Sequence, residues 1–180
     1  RQARDVAGPP NSLIACAAIM HGSGPFEEVQ MADWQRYINV NLTGSFLVCR
    51  EASRLMIKAG TGGSIVTIGS VNSFMCQPCA APYVASKGGL WMMTRAMSVD
   101  LACHNIRGMI DTHANRAATD AVSSEQVQQN VAMGRAGLPE ECAGVAAMLA
   151  SDDSSYMTGS HIVVDGGVTQ MMFGASRPSL

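Results

Sequence analysis

The sequence is poor in aromatic residues (5%) and in charged ones (14%), and it favours neither sign of charge, with 12 Lys and Arg against 14 Asp and Glu over 180 residues. Each shortage excludes something. A formal net charge of −2 supplies no electropositive field for a nucleic-acid backbone, and no Lys/Arg cluster suits an anionic membrane surface. Long hydrophobic runs are also missing: the longest, Leu13 to Met20, has eight residues, against the roughly 20 that a membrane-crossing helix needs. The six cysteines (16, 49, 76, 79, 103 and 142) lie mostly in apolar segments without disulfide-framework spacing. That pattern fits reduced thiols in an intracellular compartment, and the expected location is the cytoplasm. What the chain does have is hydrophobic residues, 47% of the total. A chain of this length can bury roughly 70% of its unfolded surface, so it needs no disulfide or metal to fold, and the composition reads as one folded domain.

Apolar runs of strand length alternate with longer segments of helical period, the pattern of β-α-β units around a parallel sheet, so the expected class is α/β. Ser12 to Ala18 reads as a central strand buried on both faces, closed by the turn residues His21-Gly22-Ser23-Gly24-Pro25. A long helix follows from about Asp33, with Trp34, Ile38, Leu42, Phe46, Cys49 and Met56 as its apolar stripe, Asn41 and Gly44 interrupting it, and Gly60 stopping it. Ser64-Ile65-Val66-Thr67-Ile68 is rich in β-branched residues and reads as a second buried strand whose carboxyl end delivers Ser70. Pro82 suits the first turn of a helix running to about Cys103, and Pro139-Glu140-Glu141 the start of another ending near Ser151. His161 to Val164 reads as the last strand, and residues 113–136 as a polar surface loop carrying a short helix.

Tyr83 and Lys87 stand four apart at the start of a helix, which puts them on one face, one turn apart. An ammonium beside a phenol stabilises the phenolate and lowers its pKa from ~10 toward neutrality, as a proton-exchanging Tyr requires. Y-x-x-x-K alone is a weak signal. It gains weight because Ser70 ends a buried strand and Tyr83 opens the next helix, and open α/β sheets place ligands beyond the carboxyl ends of their strands. Asn41, flanked by apolar residues, is expected to be partly buried and either to back-bond to helix carbonyls or to bind an ordered water in a functional site.

Four blocks then resemble the short-chain dehydrogenase/reductase family, in order and at family spacing across about residues 8 to 170. They are Trp34 to Phe46, with Asn39-Val40-Asn41-Leu42 at its centre; Gly63 to Ser70; Tyr83-Val84-Ala85-Ser86-Lys87-Gly88-Gly89-Leu90; and Thr158-Gly159 through Val164-Asp165-Gly166-Gly167. The resemblance implies a Rossmann-like doubly wound parallel sheet, an NAD or NADP cofactor and a catalytic Asn41, Ser70, Tyr83 and Lys87. Tyr83 would be the general acid/base, Ser70 would hydrogen-bond the reacting oxygen, Lys87 would depress the Tyr83 pKa and hold the nicotinamide ribose, and Asn41 would anchor a water relaying protons. Gly108 to Thr112 resembles the family's Pro-Gly-x-x-x-Thr segment, so Thr112 and the Ile110 backbone would contact the carboxamide. The implied activity is interconversion of a secondary alcohol and a ketone on a small molecule, of 3-oxoacyl, sugar/polyol or steroid-like type. The implied assembly is a homodimer or homotetramer, with no nucleic-acid or membrane partner.

The departures from the family pattern carry expectations of their own. Ala15-Cys16-Ala17-Ala18 stands where the family has Asn-Asn-Ala-Gly, so Ala15 and Ala17 would approach the cofactor through backbone and small volume only. The chain starts at Arg1 and no Gly-rich strand-turn-helix precedes residue 12. Residues 1–180 are therefore expected to be a single domain, the catalytic and C-terminal part of an NAD(P)-binding Rossmann-type domain. A truncated, cofactor-free relative serving as a non-catalytic subunit or interaction module is the alternative. Arg107 runs directly into Gly108, and with Gly108 to Thr112 placed at the carboxyl edge, a strand of a few residues is expected to be absent between them. Cys76-Gln77-Pro78-Cys79 lacks a second Cys or His pair at zinc spacing, and the histidines are scattered, so no metal site is expected.

Overall fold

A computed structural model describes residues 8–20, 22–113 and 123–170, apart from the side chains of Thr112, His113 and Ser124. His21, residues 114–122 of the expected loop, Met171 and Met172 lie outside the described residues. The elements relevant to function are β1 (Ser12–Ala15), α1 (Met31–Tyr37), a π-helical segment (Ile38–Gly44), α2 (Ser45–Ala59), β2 (Gly63–Ile68), α3 (Ala81–Leu101), β3 (Ile106–His113), α4 (Ser124–Asn130), α5 (Pro139–Ala150) and β4 (His161–Val164). The four described strands pair in the order β1-β2-β3-β4, and every pairing is parallel. Helices cover both faces, the α/β arrangement read from the sequence.

Strand alternation sorts the core into two layers. On one face Ile65 and Ile106 pack with Cys49, Ala52 and Met56 of α2 and with Met97 and Leu101 of α3. On the other, Val66, Ile68 and Met109 pack with Leu149, Val145 and Met148 of α5. Buried hydroxyls tie the layers: Ser64 donates to the Leu149 carbonyl at 2.8 Å, and Thr67 shares a 2.8 Å bond with Thr94 of α3. Gly108 lets β3 approach α3, since a Cβ there would lie 3.1 Å from that of Ser98 and 3.2 Å from Met97 Cε. Among the described residues no helix is long and apolar enough to cross a membrane.

Three expectations need correction. First, β1 is four residues long and lies at an edge of the described sheet, with Ile14 45% exposed. Second, the helix from Met31 to Ala59 buries Tyr37, Asn41, Ser45, Cys49, Ala52, Ser53 and Met56, while Phe46 is 44% exposed. The π-helical segment widens the turn and shifts the helical phase, so the apolar stripe read at a uniform period drifts off the buried face.

Third, no strand is lacking after Arg107. β3 runs through Arg107 and Gly108, in register with β2 from Gly63↔Ile106 to Ile68↔Asp111, and with β4 from Ile110↔His161 to His113↔Val164. Eight residues at about 3.3 Å each are ample to cross the sheet. The segment expected at the carboxyl edge is itself the strand, and this draws Asp111 into the interior. Asp111 is fully buried, and neither of its carboxylate oxygens has a hydrogen-bond partner.

Candidate active site

The carboxyl end of β2 leads through Gly69 into Ser70, which opens a short 3-10 turn, Val71–Ser73. The Asn72 N–H donates to Ser70 Oγ at 3.2 Å, and the Ser70 N–H donates to Ser73 Oγ at 3.3 Å. These bonds fix the Ser70 side chain and leave its own O–H free to point away from the turn. It neighbours the phenol of Tyr83 and favours that group's ionised form. Tyr83 lies in the first turn of α3, where Pro82 needs no N–H partner, and its ring packs edge-on to Tyr37 at 6.3 Å.

Lys87, one turn further along α3, is 3% exposed and donates from Nζ to the Ile68 carbonyl at 2.7 Å. Its Nζ stands 6.0 Å from the centre of the Tyr83 ring. The ammonium has two further N–H bonds to give, so it can hold hydroxyls entering the crevice. Burial lowers its pKa to about 8, and the nearby Cys16 thiol opposes that fall. The expected depression of the Tyr83 pKa is not what this arrangement produces. Burial raises it, the Ser70 hydroxyl lowers it, and the proximity of Tyr37 raises it again. The largest cause is burial of the phenol, while the Lys87 ammonium is held on the Ile68 carbonyl.

Asn41 projects from the π-helical segment and is 1% exposed. Its Oδ1 accepts from the Ile19 N–H at 2.8 Å, and its Nδ2 donates to the Ile19 carbonyl at 3.1 Å and to Ser86 Oγ at 3.0 Å. Ser86 in turn donates to the Tyr83 carbonyl at 2.7 Å. The side chain of Asn41 therefore pins the segment after β1 to the helix carrying Tyr83 and Lys87. Both Nδ2 donors of Asn41 are used, and its backbone carbonyl accepts from Ser45 Oγ at 2.8 Å. Ser86 and Asn72 are the members of this network that sequence reasoning passed over. The signal for Ser86 was a small hydroxyl residue between Tyr83 and Lys87, suited to back-bonding within the helix.

Ala15 closes β1 against the core, and Ala17 is exposed just beyond the strand's carboxyl end. Both lie on the edge of the sheet that bears Ser70. Ile110 does not reach that edge: it is fully buried in mid-strand, and its N–H donates to the Ser160 carbonyl at 3.1 Å. Thr112 lies in β3 opposite Val163, and its side chain is outside the described residues. Among those residues no group of three or more His, Cys, Asp or Glu could hold a metal ion.

Comparison with known proteins places this geometry. A family model described as enoyl-(acyl carrier protein) reductase matches residues 1–169. The chain belongs to the short-chain dehydrogenase/reductase family. Glucose 1-dehydrogenase 2 of Bacillus subtilis is a 37% identical member of that family, the match covering 79% of this chain and 57% of that protein. This short-chain dehydrogenase/reductase chain thus spans little more than half the length of that relative. The crystal structure of a gluconate 5-dehydrogenase from Burkholderia cenocepacia, in complex with NADP and tartrate, superposes with a TM-score of 0.88 at 30% identity over 95% of this chain and 69% of that one. A 4-hydroxyisoleucine dehydrogenase mutant complexed with NADH and succinate gives 0.86 at 28% identity over 94% and 73% of the two chains. These neighbours fix the Rossmann-like architecture of the sheet.

Proposed function

We propose that the protein is an NAD(P)-dependent oxidoreductase that interconverts a secondary alcohol and a ketone, with residues 1–180 as the catalytic part of one dinucleotide-binding domain. The observation that carries this reading is the meeting of Ser70, Tyr83 and Lys87 at the carboxyl end of β2, with Asn41 and Ser86 bracing them. The cofactor fits part of the site. The free donors of Lys87 and the phenol of Tyr83 would hold a nicotinamide ribose, and the small, exposed Ala17 leaves room for the backbone to be approached. When bound, the nicotinamide accepts or donates the hydride.

The chain's own groups move the proton. In the oxidative direction the Tyr83 phenolate takes the hydroxyl proton, and in reduction the phenol returns it to the carbonyl oxygen. Ser70 donates a hydrogen bond to that oxygen and stabilises its developing charge. Burial opposes the phenolate, so the positive charge of Lys87 must favour it, and a ligand that competes for the Ile68 carbonyl's hold on Nζ would strengthen that effect. The relatives named for glucose and gluconate support a polyol or sugar substrate over the 3-oxoacyl and steroid-like classes. The intracellular thiol pattern and the exposed apolar residues of α2 and α3 support a cytoplasmic homodimer or homotetramer.

One observation favours a second reading. The N–H of Ile110 is engaged within the sheet and Asp111 is buried beside it, so the carboxamide end of a cofactor loses the donor that the family resemblance assigns. A non-catalytic subunit follows if that loss prevents binding. Titration of the protein with NADH and NADPH, read by cofactor fluorescence, separates the two. Saturable binding, with alcohol oxidation that falls roughly 10²–10⁴-fold in Tyr83→Phe while binding persists, is the expected result. Absence of binding by either cofactor overturns the enzyme reading.

A further inference from the structure

We propose that Cys76 and Cys79 form a dithiol modification site on the loop beside the candidate active site, with a low-molecular-weight disulfide as co-reactant. The six residues Phe74 to Cys79 are all exposed, and they are bounded by the buried Ser73 and Ala80. Both thiols are thus open to solvent, unlike that of Cys49. Pro78 and Cys79 form a turn in which Cys79 has φ 57°. A left-handed residue after proline is the pattern of a type II turn, where Gly or Asn is the ordinary occupant. The other described non-Gly residue with positive φ is Asn105, a type that tolerates this region. Cys79 has no such tolerance, so the loop holds it in a strained backbone conformation.

The C-x-x-C spacing suits closure. Three peptide units separate the two Cα atoms, at most about 11 Å when extended, so reaching the ~4.4–6.8 Å a disulfide needs takes only a local rearrangement of this exposed loop. Cys79 is also the anchored member of the pair: the N–H and Oγ of Ser23 both donate to its carbonyl, at 3.0 and 3.2 Å. Ser23 belongs to the segment following β1, and Ala80 is the residue before α3, one turn ahead of Tyr83. Ring closure would therefore be transmitted to both walls of the crevice.

With glutathione disulfide the reaction balances as two exchanges. One cysteine thiolate attacks a glutathione sulfur; the glutathione S–S bond breaks, a protein–glutathione disulfide forms, and the first glutathione leaves as a thiolate that takes up a proton. The second cysteine, having lost its proton, displaces the other glutathione and closes the ring. The protein dithiol is oxidised by two electrons, and one glutathione disulfide is reduced to two thiols.

The test is intact-mass analysis of the native protein after exposure to glutathione disulfide and quenching by alkylation. Apart from any glutathione carried by the exposed Cys16 and Cys103, the expected product has lost two hydrogens, yields one cross-linked peptide containing Cys76 and Cys79, and regains its mass with dithiothreitol. Cys76→Ser should instead retain one glutathione on Cys79, and Cys79→Ser one on Cys76. The proposal is overturned if both thiols stay alkylatable, if Cys76 and Cys79 of the unaltered protein stop at glutathione adducts, or if the double variant still loses two hydrogens. A mass readout does not depend on cofactor binding, so its failure and that of the enzyme reading are separately visible.

Discussion

At the scale of single residues, two buried ionisable groups load the pH dependence of stability in opposite directions. Burial pushes the Asp111 carboxyl up to about 6. Below roughly pH 4 the carboxyl is protonated both folded and unfolded and carries no ionisation penalty. As pH rises from there toward 6 the unfolded chain releases its proton first, so stability falls, and above 6 a penalty of about 3 kcal/mol remains. Lys87, lowered to about 8, carries its cost below 8 and is relieved as pH climbs from there toward the ordinary ammonium range. Asp111→Val should remove the decline between about pH 4 and 6 and raise the unfolding free energy at neutral pH by roughly 1–3 kcal/mol. Urea denaturation across that range measures both, and an unchanged slope in the variant would show that Asp111 is not the titrating group.

At the scale of elements, the contact of β3 with α3 depends on a missing side chain. Gly108→Val would drive a branched side chain into Ser98 and Met97, at an expected cost of roughly 1–3 kcal/mol. Gly144, in α5 with nothing within 4 Å of its Cβ position, is the control, and Gly144→Ala should stabilise by up to about 1 kcal/mol. Thermal melts of the two variants should move in opposite senses. β3 is also where sequence reading failed most. β2 and β4 were legible as short β-branched runs closed by glycines, and α3 and α5 as apolar segments opened by proline. β3 contains Gly108 and Asp111, both poor strand formers, and exists because parallel pairing with β2 and β4 overrides local preference. The π-helical segment was legible only as an interruption at Asn41 and Gly44, since a change of hydrogen-bond register leaves no composition of its own. Tyr83, Lys87 and Ser70 were legible because helix spacing and a strand end place side chains directly. The direction in which the Lys87 ammonium points was not, because it depends on the backbone carbonyl of Ile68.

At the scale of the whole molecule, apolar surface remains uncovered along two helices. Met92 and Val99 of α3 are 55% and 76% exposed, and Phe46 and Val48 of α2 are 44% and 49% exposed. Sedimentation velocity should find self-association, and Met92→Glu combined with Val99→Glu should shift the protein to a smaller species. A parent protein that stays monomeric at every concentration would remove the oligomer from the proposed function. A different consequence follows from the clasp that Asn41 places on Ile19. Ile19 lies in no helix or strand, yet both of its backbone polar groups are held by a 1% exposed side chain rooted in a core helix. Its amide proton should therefore exchange with deuterium on the timescale of cooperative unfolding, as a strand amide does, while the neighbouring exposed segment from Cys16 to Ala18 exchanges quickly.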